Sequence, residues 1–286
     1  VIWLCNTINQ ISNIKNQKYG IAILTRGYKA EGATDEPAIF TESCPQAKVI
    51  VNPSRAEAAA EAVGKFGAKA LIMDDGFQHR RLARDLDIVT IDATCPFGYG
   101  KLLPAGLLRE PVVSLKRAGA AVLTRCDQIS ESELSRIEKQ LQLINLGIII
   151  ARSVHNPSCA KTVTGEKIPF EQLRGKKVFA FCGIGNPDAF LSTIKNAGAN
   201  LVGSKVYNDH YRYTNTDIDD IYNQANRLGA DLVLTTQKDW TKTATLTSIK
   251  KDILFAYLAV EIKFIAGEDK LKQLIKGVLA GKICEK

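Results

Sequence analysis

Six short runs, Ile21 to Thr25, Lys48 to Val51, Ala70 to Met73, Ile88 to Ile91, Ala120 to Leu123 and Gly147 to Ile150, are apolar at nearly every position. A strand that alternates apolar and polar residues can face water on one side, whereas these runs must be covered on both faces. That is the condition of a parallel sheet between two layers of helices. Helical patterns fill the intervals. Ser54 to Phe66 begins on a Ser with Glu57 three residues later, and Ser130 to Gln142 begins on a Ser with Glu133 in the same place, so both spacings predict capping boxes. Val1 to Leu4 reads as the interior of a helix, and Met73 is the only methionine. Val1 is therefore either an unconventional start or the end of a shortened N-terminus.

The texture changes after Ile150. Ala151 to Gly175 contains Pro157, Gly165 and Pro169 with weak alternation at Lys161 to Lys167, and reads as a linker or β-ribbon. A second α/β unit follows, with strands at Lys177 to Phe181, Leu201 to Val206, Asp231 to Thr235 and Ile253 to Tyr257, and a helix near Pro187 to Ala197. The expected division is 1–150, a 151–175 connection, and 176–286, the final amphipathic helix (Asp269 to Ala280) packing back on the first part. For 286 residues, two α/β domains are the natural partition.

Composition excludes several classes. No apolar run approaches the ~20 residues of a membrane span, and no repeat or low-complexity tract suggests a solenoid or disordered scaffold. Seven scattered cysteines show no zinc spacing and fit buried thiols in a reducing compartment. The net charge of +8 is spread in small clusters such as Arg80-Arg81 without aromatic interleaving, which argues against a nucleic-acid groove. It suits an anionic small substrate and an anionic membrane surface equally.

Chemistry-bearing residues fall where strands end, the usual ligand position of open α/β sheets. Asp74-Asp75-Gly76 follows Ala70 to Met73; paired carboxylates there can hold a magnesium ion that bridges nucleotide phosphates, although the same residues also make an ordinary turn. Thr25-Arg26-Gly27-Tyr28 followed by Asp35-Glu36-Pro37 offers a phosphate-binding cation and a general base, or a solvated turn with an ion pair. Phe97 to Pro111 is a long Gly- and Pro-rich loop whose Lys101 and Arg109 can meet anionic groups. Asn208 to Thr214 carries His210 beside Asp209, and Lys238 lies just past a later strand. Phe181 to Pro187 has two glycines between strand and helix but lacks a third, and Asp188 would repel a pyrophosphate, so dinucleotide binding is discounted. No Gly-x-x-x-x-Gly-Lys-[Ser/Thr] loop is present.

In order along the chain, Leu24-Thr25-Arg26-Gly27-Tyr28, Asp35-Glu36-Pro37, Asp74-Asp75-Gly76-Phe77-Gln78-His79, Leu82-Ala83-Arg84-Asp85, Leu103-Pro104-Ala105-Gly106, Leu108-Arg109-Glu110, Gly183 to Pro187, Asp209-His210, Tyr213-Thr214 and Thr235-Thr236-x-Lys238-Asp239 resemble the tetraacyldisaccharide 4′-kinase family over roughly Val1 to Lys242. The resemblance implies a P-loop-type kinase domain, doubly wound and mostly parallel, with a smaller α/β domain. It implies ATP and Mg2+, a lipid A disaccharide precursor as phosphoryl acceptor, no nucleic acid, no obligate protein partner, and peripheral attachment at the cytoplasmic face of the inner membrane. By motif, Asp35 would be the base, assisted by His210. Asp74 and Asp75 would hold magnesium, and Arg26 and Lys238 would contact the nucleotide. Gln78, His79, Lys101 and Arg109 would contact phosphate or sugar. Two departures are mild, Tyr211 where a second His is frequent and Thr34 where Gly is frequent. The family's membrane helix and phosphate loop would lie just upstream of Val1. The alternative is a catalytically inactive relative that binds glycolipid or the membrane surface.

Overall fold

The computed structural model describes residues 1–14, 20–27, 35–209, 211–247 and 253–281. The chain divides into two compact units, one formed by 1–28, 40–155 and 262–286, the other by 29–39 and 156–261.

Unit 1 holds two sheet segments. In the first, β1 (Ile21–Thr25) lies between β2 (Ala47–Val51) and β3 (Ala70–Met73), all parallel. In the second, β5 (Ala120–Thr124) pairs in parallel with β4 (Ile88–Asp92) and with the start of β6 (Ile149–Thr162). Successive residues of β1 serve opposite helix layers, which is why the run is apolar throughout. Ile21 and Ile23 pack with Cys5 and Ile8 of α1 (Ile2–Ile14) and Leu271 and Ile275 of α8 (Glu268–Leu279). Ala22 and Leu24 pack instead on Ala58, Ala59 and Ala62 of α3 (Arg55–Phe66). The same alternation holds in β5, where Ala120 and Val122 join the α1/α8 side and Ala121 and Leu123 meet Leu134, Ile137 and Leu141 of α4 (Glu131–Ile144).

The two predicted caps differ. Ser130 caps α4 with the full capping box, its hydroxyl accepting from Glu133 N–H at 3.3 Å and Glu133 accepting from Ser130 N–H at 3.1 Å. Ser54 caps α3 by accepting from Glu57 N–H at 3.4 Å, but the reciprocal bond goes elsewhere: Asn52 accepts from Ser54 N–H at 2.8 Å, and its amide donates to Glu57 at 3.5 Å. Asp35 to Pro37, for which the sequence also allowed a solvated turn, opens the helix α2 (Asp35–Ser43). Proline is accepted there because the first turn's N–H groups have no intrahelical acceptor.

In unit 2 the strand order is β7 (Lys167–Pro169), β6, β11 (Leu254–Ala266), β10 (Leu232–Thr236), β8 (Lys177–Cys182), β9 (Asn200–Val206). The pairs β11/β10, β10/β8 and β8/β9 are parallel, and β6/β7 is an antiparallel ribbon. Here too both faces are covered. Val178 and Ala180 meet Phe190 and Ile194 of α5 (Pro187–Asn196). Phe179 and Phe181 meet Ile218 and Ile221 of α6 (Asn215–Arg227) and Trp240 of α7 (Gln237–Thr247). The stretch 151–175 thus consists mainly of the long end of β6, β7 and a short turn of helix at Phe170–Leu173. The protein is an α/β fold with mostly parallel strands. Among the described residues no helix is long and apolar enough to cross a membrane.

Candidate functional site

The exit of β3 gathers polar groups that the interior would normally exclude. Asp74 continues the ladder, its N–H donating to Leu24 C=O at 2.9 Å, while its carboxylate accepts from the Thr25 hydroxyl at 3.3 Å. Burial pushes the Asp74 carboxyl above the usual carboxylate range. The Thr25 hydroxyl and Arg55 oppose that rise, and Asp75 adds to it. The start of α1 lies within electrostatic reach of this carboxylate, and the N–H groups of a helix's first turn are suited to phosphate oxygens. Asp75 is different: its φ of +46° is left-handed backbone, sparsely populated for a residue with a Cβ. Its side chain is exposed, with both oxygens accepting from Arg109 Nη1 at 2.8 and 2.7 Å.

Arg55 is a residue that motif reading overlooked. It is only 3% exposed, donates from Nη2 to Asp74 C=O at 2.8 Å, and keeps Nη1 buried with no acceptor among the described residues. Burial lowers its affinity for the proton, as does nearby Arg26, while Asp74 and Asp75 act the other way. One sequence signal existed. A cation in the first turn of a helix opposes the macrodipole, and Arg55 directly follows the N-cap.

Arg26 is exposed at the end of β1. Gln78 and Arg109 line one cavity of about 170 Å³ with Phe77, Ile91, Leu107 and Val112. The loop carrying Arg109 is fixed by Arg117, whose guanidinium pairs with Glu110 at 2.7 Å, donates to Phe77 C=O at 2.9 Å and lies 3.8 Å from the Phe77 ring. His79 closes the turn by donating its backbone N–H to Gly76 C=O at 2.9 Å, and its Nδ1 is buried without a partner among the described residues. Lys101 is exposed on the loop.

In unit 2, Lys238 lies just past the end of β10, in the first turn of α7, where Asp209 pairs with it at 3.0 Å. Asp239 is fully buried and accepts from Gly183 N–H at 3.0 Å and the Thr236 hydroxyl at 2.7 Å. Tyr213 stands at the same point: a Cβ on Gly183 would lie 3.0 Å from its hydroxyl and 3.3 Å from Asp239 Oδ1. The rings of Tyr207, Tyr211 and Tyr213 pack together around the Asp209 segment. His210, Tyr28 and Thr34 lie outside the described residues, as does the side chain of Asp35.

The magnesium expectation can be tested on the donor set. Among the described residues no three His, Cys, Asp or Glu side chains converge. Magnesium in phosphoryl-transfer sites commonly takes one or two carboxylates and completes its shell with phosphate oxygens and water. Asp74 and Asp75 are hard oxygen donors of that kind, so the residues present fit the ion.

Comparison with known proteins identifies the family. The family model described as tetraacyldisaccharide-1-P 4′-kinase matches residues 6–280. A tetraacyldisaccharide 4′-kinase from Anaeromyxobacter sp. strain Fw109-5 is 37% identical over 279 residues, covering 91% of this chain and 74% of that protein. One from Halothermothrix orenii is 33% identical, covering 89% and 75%. A crystal structure of LpxK from Aquifex aeolicus in complex with ATP superposes with a TM-score of 0.71 at 26% identity, over 96% of this chain and 84% of that one. With the family model matched over residues 6–280 and a relative 37% identical over 91% of its length, the chain belongs to the tetraacyldisaccharide-1-P 4′-kinase family.

Proposed function

We propose that the protein transfers the γ-phosphoryl group of ATP to the 4′-hydroxyl of a tetraacylated disaccharide 1-phosphate, a lipid A precursor, at the cytoplasmic face of the inner membrane. The observation that carries this reading is the half-buried Asp74 carboxylate within electrostatic reach of the start of α1, with Thr25 and the buried cation Arg55 around it. Phosphoryl transfer asks little covalent chemistry of a protein; alignment and charge neutralisation supply most of the acceleration. The α1 N–H groups and Arg26 receive phosphate oxygens, with Lys238 a further nucleotide contact. Asp74 and Asp75 would hold magnesium, which would supply neutralisation of phosphate charge during transfer.

Asp35 accepts the proton of the sugar hydroxyl, directly or through one water, with His210 in support. Gln78, His79, Lys101 and Arg109 serve the acceptor's phosphate and sugar. Arg109 is bound to Asp75 in the structure, so carboxylate and cation exchange partners when the charged ligands arrive. The decisive experiment follows radiolabelled phosphate from ATP to the lipid in the Asp35→Ala variant of the longest available form of the protein. Transfer is expected to vanish while ATP affinity is retained; normal turnover removes Asp35 from the mechanism. Absence of transfer in the parent protein, with glycolipid binding intact, selects the inactive relative instead.

A further inference from the structure

The loop between Phe97 and Pro111 turns large apolar side chains outward. Tyr99 is 77% exposed, Leu102 45%, Leu103 58% and Leu107 59%. This is not slack chain. Leu103 N–H donates to Leu108 C=O at 2.9 Å, Gly106 to Leu102 at 3.0 Å, Leu107 to Gly98 at 3.0 Å and Leu108 to Lys101 at 3.1 Å. The turn is so close that a Cβ on Gly106 would stand 2.3 Å from Lys101 C=O. A loop that is hydrogen-bonded within itself and still presents its leucines to water has a surface made for something other than water.

Its charge says what. From Pro96 to Arg109 the sequence has two cations, Lys101 and Arg109, and no acid. Exposed Arg80 and Arg81 add positive charge on the preceding segment, Arg80 being close enough to Glu110 to lower its proton affinity. Apolar side chains interspersed with cations suit the boundary between acyl chains and anionic headgroups. A second copy of this chain, itself at net +8, would be repelled.

We infer that Tyr99, Leu102, Leu103 and Leu107 insert into the interface of an anionic bilayer, with Lys101 at the lipid phosphates. The inference rests on the lipid-kinase reading and deepens it by naming the docking surface. The arm of the same loop carries Arg109 to Asp75, so a docked loop sets the membrane boundary beside the site carboxylates.

The test is co-flotation of the full chain with phosphatidylcholine vesicles, with and without phosphatidylglycerol. A Tyr99→Asn/Leu103→Asn double variant is compared with the parent. Both side chains are exposed and Asn tolerates the left-handed backbone at position 99, so thermal midpoint and ATP affinity are expected to stay unchanged. Partition onto anionic vesicles is expected to fall at least about tenfold. A Leu103→Trp variant is expected to shift its emission to the blue on anionic vesicles only. Equal partition of parent and double variant overturns the inference while leaving the membrane reading intact. No vesicle binding by the parent overturns it too, and the kinase reading then stands or falls on phosphate transfer to lipid in detergent. Lipid-independent self-association lost in the double variant overturns it in favour of a second copy.

Discussion

Two strand exits, those of β3 and β10, look alike in sequence: each ends an apolar run in a Thr- or Asp-bearing polar segment. In space they differ completely. At β10, Asp239 is sealed from solvent, with one oxygen taken by Gly183 N–H and the Thr236 hydroxyl, and it ties the start of α7 to the turn after β8. At β3, Asp74 is only partly covered, holds one 3.3 Å hydroxyl contact, and is held against its own ionisation by burial; Asp75 beside it sits in left-handed backbone and faces water. Asp239 Oδ1 is buried without a hydrogen-bond partner among the described residues, so the two exits differ in access: Asp239 is closed to solvent, whereas Asp74 and Asp75 are open to it. An accessible carboxylate at a strand exit is open to chemistry, and a sealed one serves architecture.

The largest test of that contrast is Asp74→Ala, expected to lower phosphoryl transfer about a thousandfold, ~4 kcal/mol of transition-state stabilisation, with the fold intact. An unchanged rate would erase the distinction. Next is Asp239→Ala, expected to cost about 2–4 kcal/mol in urea unfolding because it strands the buried Gly183 N–H and Thr236 hydroxyl. A neutral outcome there would mean the bonds are idle.

Asp74→Asn sharpens the comparison in sign. A carboxyl whose folded proton affinity is raised favours folding most when protonated, so its contribution to stability declines as pH climbs from its unfolded value through the folded one. Asp74→Asn is therefore expected to lose transfer yet raise the thermal midpoint at neutral pH, with the gain disappearing at acid pH; a lower midpoint at neutral pH refutes the account. The smallest stability effect belongs to Arg109→Ala. Its exposed pair with Asp75 is worth within about 0.5 kcal/mol, so unfolding should hardly change while the KM for lipid rises.

Much of unit 1 was legible because its strands are apolar on both faces. Ile21 to Thr25 and Ala70 to Met73 coincide with β1 and β3. The long strands were not. β6 runs to Thr162 and β11 to Ala266, past Arg152, Asn156, Glu261 and Lys263, where partial exposure permits polar residues and the apolar signal fades. Periodicity therefore saw their first few residues only. The helix α6 went unread although Ile218, Ile221 and Ala225 keep helical spacing, because Asp and Asn dominate its remaining positions. At the candidate site, motif order singled out Asp74, Asp75 and Arg109, but nothing in composition says that Arg55 is buried with a nitrogen unpaired among the described residues; that depends on how α3 lies on β1.

The order of the segments also governs when each unit can close during synthesis. Unit 1 begins with α1 and is completed by α8, whose Leu271 and Ile275 share a core with Cys5 and Ile8, while residues 156–261 come between. The apolar face of α1 must therefore stay open until α8 has left the ribosome. The interposed unit has all its strands and helices in hand earlier. A pause or stop before the codons of α8 would leave an assembled unit 2 attached to an unfinished unit 1.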